Sequence, residues 1–223
     1  MSTAPPTARA VARAQTRSEE LANSVSHGLA CLAALAAIPF LFTAVRGPLP
    51  SPSTVQQIGI AVFAVTMVVV YLASALYHGL PDGRAKRLFM RVDHCAIFLF
   101  IAGTYTPFTV KILNDPWGWP LLTGVWTMAI AGLIAKSLGL LDRPLVSTLL
   151  YIGLGWIAVL VAGPVLAAIP GPGAGWLYAG GAAYTVGAIF YSLDGHIKFG
   201  HLVWHLFAIG GTVCHYLAVW RYV

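Results

Sequence analysis

Residues 55–78 read VQQIGIAVFAVTMVVVYLASALYH, twenty-four positions without a single Asp, Glu, Lys or Arg. A helix rises about 1.5 Å per residue, so roughly 20 apolar residues cross a hydrocarbon core about 30 Å thick. The stretch has no period-2 alternation, and open sheet edges cannot face lipid, so a strand is excluded. It reads as a transmembrane helix. Its last turns hold the exceptions: Ser74 and His78, four residues apart, lie on one helix face.

Six further apolar runs flank this one, at about 28–45, 92–113, 119–138, 145–168, 174–193 and 200–220. The breaks between runs (RGPLPSPS, GLPDGRAKRLFMR, NDPWGWP, LDRP, PGPGAG and DGHIKFG) all combine Gly or Pro with polar residues. The expected fold is therefore an all-α membrane protein, a bundle of seven transmembrane helices. Composition agrees. The chain is 58% hydrophobic and 9% charged, with a mean hydropathy of +0.79, whereas a soluble domain carries about 25% charged residues. Pro39, Pro107 and Pro164 fall inside runs one, three and five, where each frees a carbonyl and is expected to kink its helix for packing. The glycines of AGGAAYTVG in run six are expected to let helices approach closely.

The net charge of +6 is not a nucleic-acid signature, because the basic residues sit in short connections and form no face interleaved with aromatics. Their distribution gives orientation instead. With the N-terminus inside, Arg9, Arg13, Arg17, Arg84, Lys86, Arg87, Arg91, Lys136, Arg143 and Lys198 are cytoplasmic, against Arg46, Lys111 and Arg221 outside. Trp117, Trp119, Trp176 and Trp220 gather on that outer side. The C-terminus is then external. Residues 1–18 read as a disordered cytoplasmic tail, although their Arg and Ser content imitates a transit peptide, and 19–223 as one transmembrane domain. Cys31, Cys95 and Cys214 are scattered in apolar runs and read as packing residues, with no CxxC spacing among them.

This topology brings polar residues from distant segments to one layer near the cytoplasmic interface: Ser74 and His78 on run two, Asp93 at the start of run three, and His201 and His205 on run seven. Ionisable groups inside apolar segments are expensive and point to a site. Zinc takes nitrogen ligands in tetrahedral geometry, and two histidines at i, i+4 can share one ion. His78, His201 and His205 are the expected ligands. Asp93 is assigned to a water there as base, and Ser74 as a donor to that water or to an oxyanion. Each element has a plainer reading: HxxxH and SxxxH occur by chance, and Asp93 would serve as an N-cap. Glu19, Asn23 and His27 form a second i, i+4 series. They line the same cavity or hydrogen-bond its ligands, or else make a self-satisfied interfacial turn. His94 projects about 100° from Asp93 and is left out; His196 reads as loop-exposed and His215 as structural.

At EELANSVSHG, SALYHGLP, KRLFMRVDHCAIFLFIAGTYTPF, STLLYIGLGWIAV and GHLVWHLFAIGGTVCHYLAV the chain resembles the hemolysin III family. That family belongs to the superfamily of seven-helix proteins with the adiponectin and progestin receptors and the alkaline ceramidases. The resemblance runs from about residue 19 to the C-terminus. It implies a zinc ion near the cytoplasmic face held by His78, His201 and His205, with Asp93 and Ser74 around its water. It also implies hydrolysis of lipid amides or a role in membrane-lipid homeostasis, and the family name records haemolytic activity. One departure stands out, Gly200 beside the first ligand of run seven, which is expected to loosen that helix start.

Three functions follow as expectations: a zinc-dependent hydrolase cleaving a lipid amide or ester, a receptor or scaffold with structural zinc, and a pore-forming cytolysin. The spans show polar groups mainly at one end, which disfavours a wet pore. Membrane lipids are the expected partners, and homo-oligomerisation is left open. A bacterial plasma membrane fits the resemblance best.

Overall fold

The computed structural model describes residues 13–43, 52–160, 163, 167–169 and 171–223. Among these residues the chain is entirely helical: α1 Arg17–Phe42, α2 Thr54–Gly79, α3 Arg84–Lys111, α4 Gly118–Ser137, α5 Pro144–Leu160, α6 Gly171–Ser192 and α7 Gly200–Tyr222. Five of them (α1, α2, α3, α4 and α7) are long and apolar enough to cross a membrane. The α5 helix is apolar but has 17 residues. Glycine dilutes the 22 residues of α6. Pro164, Arg9 and Arg46 lie outside the described residues, whereas Pro39 and Pro107 sit within α1 and α3.

Two helix starts differ from the sequence expectation. The α1 helix begins at Arg17 because Thr16 and Glu19 form a reciprocal capping box. Within the stretch expected as a tail, α1 takes in Arg17 and Ser18 and the Arg13 N–H donates to Gly195 O. The α3 helix begins at Arg84, running through a charged stretch that looks like a loop by composition. Arg84, Arg87 and Arg91 are all exposed, and their i, i+3, i+7 spacing lets one helical face carry the charge outward.

Polarity is inverted relative to a soluble helix, and α1 shows it best. Leu21, Val25, Leu29 and Leu32 are exposed, while Glu19, Asn23, His27 and Ala30 are buried. Such a helix places its apolar stripe toward lipid and its polar stripe toward the bundle.

Short connections make successive helices neighbours. The α1–α4 helices pack in order, α6 packs along α7, and α1 closes on α7. The α6–α7 approach needs glycine: a Cβ on Gly187 would stand 2.7 Å from the Trp204 ring. With this closure the C-terminal end of α2, the N-terminal part of α3 and the N-terminal end of α7 meet at one end of the bundle, beside the start of α1.

Candidate metal centre

His78, His201 and His205 each offer a ligand atom within 4.8 Å of the others. Their ring centroids lie 4.8 to 5.2 Å apart. Each ring is held from behind at Nδ1. Glu20 Oε2 lies 2.7 Å from His78 Nδ1, and Asp194 Oδ2 lies 3.0 Å from His201 Nδ1. Carboxylates only accept, so both nitrogens carry the proton. The third partner is Ser26, whose Oγ lies 3.0 Å from His205 Nδ1. Its hydroxyl proton goes to Asn23 O at 2.8 Å, so His205 Nδ1 is the donor here too.

All three imidazoles are thereby set in one tautomer, with the Nε2 lone pair free. His78 Nε2 is buried and has no hydrogen-bond partner. An orphaned lone pair in a converging set of three is what a metal ion would satisfy. Outer acceptors that fix tautomer and ring plane are the usual companions of ligating histidines. The donor set fits zinc.

Ser74 and Asp93 lie alongside. Both side chains are buried. Asp93 is in the third turn of α3, whose N-cap is Gly83, so the N-cap reading is excluded. Both residues, with His201 and His205, line a cavity of about 230 Å³. It follows α3 from Asp93 to Thr109 and α7 from His201 to His215, a run of about 24 Å at the helical rise. Most of its wall is aliphatic or aromatic. At mid-depth Tyr71 and Tyr184 both hydrogen-bond to Thr212, at 2.7 and 2.8 Å. That network ties α2, α6 and α7 together and satisfies its own polar atoms.

The second series divides. His27 lines the cavity and stacks on His205, with centroids 3.5 Å apart and planes 7° from parallel. Glu19 and Asn23 are not among the lining residues: Glu19 pairs with Arg13 and Asn23 donates to Gln15. His94, left out by angle, does line the cavity, because α3 presents two adjacent rows of side chains to it. His196 is exposed, and His215 reaches Leu177 O at 3.3 Å. Gly200 is the first residue of α7 and is buried. A Cβ there would meet Asp194 Cα at 3.1 Å, so the glycine admits the residue that holds His201. Sequence reasoning missed Glu20, Ser26 and Asp194. Their one sequence signal is polarity close to the N-terminal ends of α1 and α7.

The fold and site define a helical membrane protein with a buried three-histidine cluster at one end of an apolar cavity. The family model described as haemolysin-III related matches residues 15–216. Hemolysin-3 of Bacillus cereus is 38% identical over 92% of this chain and 92% of its own length. The hemolysin-3 homolog of Bacillus subtilis (strain 168) is 35% identical over 93% and 95%. The human monocyte to macrophage differentiation factor is 26% identical over 75% and 71%. No solved structure matches the chain. The chain belongs to the haemolysin III family, within the superfamily of the adiponectin and progestin receptors.

Proposed function

We propose that this chain is a seven-span, zinc-dependent membrane hydrolase that cleaves an amide or ester bond of a lipid. Its N-terminus and metal centre would face the cytoplasm of a bacterial cell, its C-terminus would lie outside, and it would serve membrane-lipid homeostasis. One observation carries the reading: three imidazoles of a single tautomer turn toward one point beside Asp93 and Ser74, at the end of a long apolar cavity.

His78, His201 and His205 would hold the ion. Zinc in such a centre supplies Lewis acidity, making water nucleophilic near neutral pH and polarising a carbonyl. The protein's own groups do the rest. Asp93 takes a proton from the attacking water at its carboxylate oxygen and delivers it to the leaving nitrogen or oxygen. The Ser74 hydroxyl, on the same cavity wall, donates to that water or to the developing oxyanion. The apolar wall takes the hydrocarbon of the substrate and keeps bulk water away.

The test is turnover of a panel of lipid amides and esters by zinc-loaded protein in vesicles, with products identified by mass spectrometry. Wild type should cleave at least one member, and Asp93→Asn should lose about 100-fold or more while keeping its zinc. Equal turnover by the two proteins would remove Asp93 from the chemistry.

A second reading, a receptor or scaffold with structural zinc, is supported by the burial of His78 and His205 and by their ties to α1. Under that reading chelation lowers the melting temperature steeply and no lipid is cleaved. The name of the Bacillus relatives brings a third, a cytolytic pore. The mostly apolar cavity wall gives that one little support, and dye leakage from vesicles tests it.

A further inference from the structure

We infer that residues 13–19 form a strap that positions His201, so that the N-terminal segment governs how firmly the centre holds its ion. This rests on the metal reading above.

The connection between α6 and α7 bears directly on the centre. It carries Asp194, the acceptor for His201 Nδ1, and it ends at Phe199, two residues before that ligand. Phe199 has φ 59° and ψ 17°, a left-handed conformation that a bulky side chain adopts only when its surroundings impose it. Those surroundings come from the N-terminal segment. The Phe199 N–H donates to Glu19 Oε1 at 2.7 Å. Arg13 grips the same carboxylate with both guanidinium arms, one of them at 2.7 Å. The backbone N–H of Arg13 donates to Gly195 O at 3.2 Å, and its Nη2 donates to Ile197 O at 3.1 Å. Gln15 reaches Asp194 Oδ2 at 3.5 Å and is itself held by Asn23 at 2.8 Å.

Four residues of the connection, Asp194, Gly195, Ile197 and Phe199, are thus pinned by a segment 180 residues away in sequence. Glu19 is 2% exposed. A carboxylate so buried needs its full complement of donors, and Arg13 is the only cation placed on it among the described residues. Losing Arg13 therefore loosens Glu19, then Phe199, then the approach of Asp194 to His201. The strap never touches the ion. It acts through the residue that orients a ligand, and ion retention is the quantity such residues control.

The test uses the full chain, zinc-loaded in lipid nanodiscs. Zinc release to excess chelator is timed for wild type, Arg13→Ala, Glu19→Gln, the double variant and Arg17→Ala. Arg17 is exposed at the first residue of α1 and controls for charge. Hydrogen exchange over 193–203 is followed in parallel. Release should be about 10-fold faster in Arg13→Ala and in Glu19→Gln, and no faster in the double variant, because the two act as one latch. Arg13→Lys, which keeps the charge but loses the fork, should fall between. Exchange should rise over 193–200 and stay unchanged over 74–78. Zinc release from Arg13→Ala equal to that from wild type overturns the strap, whatever the exchange shows. So does equal acceleration in Arg17→Ala. A wild type that holds no zinc overturns the metal reading and the strap together, whereas a zinc-holding wild type matched by Arg13→Ala overturns the strap alone.

Discussion

His205 carries more of the centre than its position in an i, i+4 pair conveys. It is 1% exposed, stacked on His27, and set in its tautomer by a serine whose own proton is committed elsewhere. Ser26→Ala removes that acceptor. The expected result is zinc affinity lower by about 10-fold with the fold intact, measured by competition with a chelating dye. Asp194→Ala should act on His201 in the same way, weakening zinc by about 10- to 100-fold. Asp194→Asn should weaken it less, since the amide oxygen still accepts. At this scale the sequence disclosed the three histidines that converge but not the groups that hold them. Spacing alone puts His201 and His205 on one face. Nothing local marks Ser26 or Glu20 among the many polar residues near a helix start, because their partners lie 179 and 58 residues away.

Among the elements, α6 and α7 with their connection are the most sensitive to small changes of volume. Gly187 faces the Trp204 ring, and Gly200 faces the backbone of Asp194. Gly187→Val should destabilise the bundle by about 1–3 kcal/mol through overpacking, read from its unfolding in denaturant. Gly200→Val should instead leave overall stability nearly unchanged and weaken zinc binding, because the displaced atom is Asp194 Cα. The element boundaries were the least legible part of the sequence. Runs placed by hydropathy begin at about 28 and 92, whereas α1 and α3 begin at Arg17 and Arg84. Helices continue past the apolar layer, where charge on an outward face costs little, so composition alone reads their first turns as loop. Asp93 moved from a helix start to a third turn for that reason, and with the move it gained a place on the cavity wall.

For the whole molecule the decisive feature is a cavity that runs from the histidines along most of α3 and α7. A cavity beside the histidines was legible, but its run along the bundle was not. Hydropathy shows which segments enter lipid but not how far apart they stand, and His94 entered the wall only because α3 offers two rows to it. Gly155 lines the cavity away from the cluster, its carbonyl accepting from Tyr105 at 2.6 Å, twelve residues along α3 from Asp93. Gly155→Phe, where a Cβ meets nothing within 4 Å, should fill part of it, cutting turnover of long-chain lipids about 10-fold or more while zinc content stays at the wild-type level. Loss of both together would mean that the cavity and the centre are not separable. The most direct test of the account is elemental analysis of gently extracted, detergent-purified protein, set beside His205→Ala and Asp93→Asn. The account predicts about one zinc per chain in the wild type and in Asp93→Asn, and loss of zinc in His205→Ala. A wild type without metal even after zinc supplementation, or a His205→Ala variant that keeps its zinc, would contradict it.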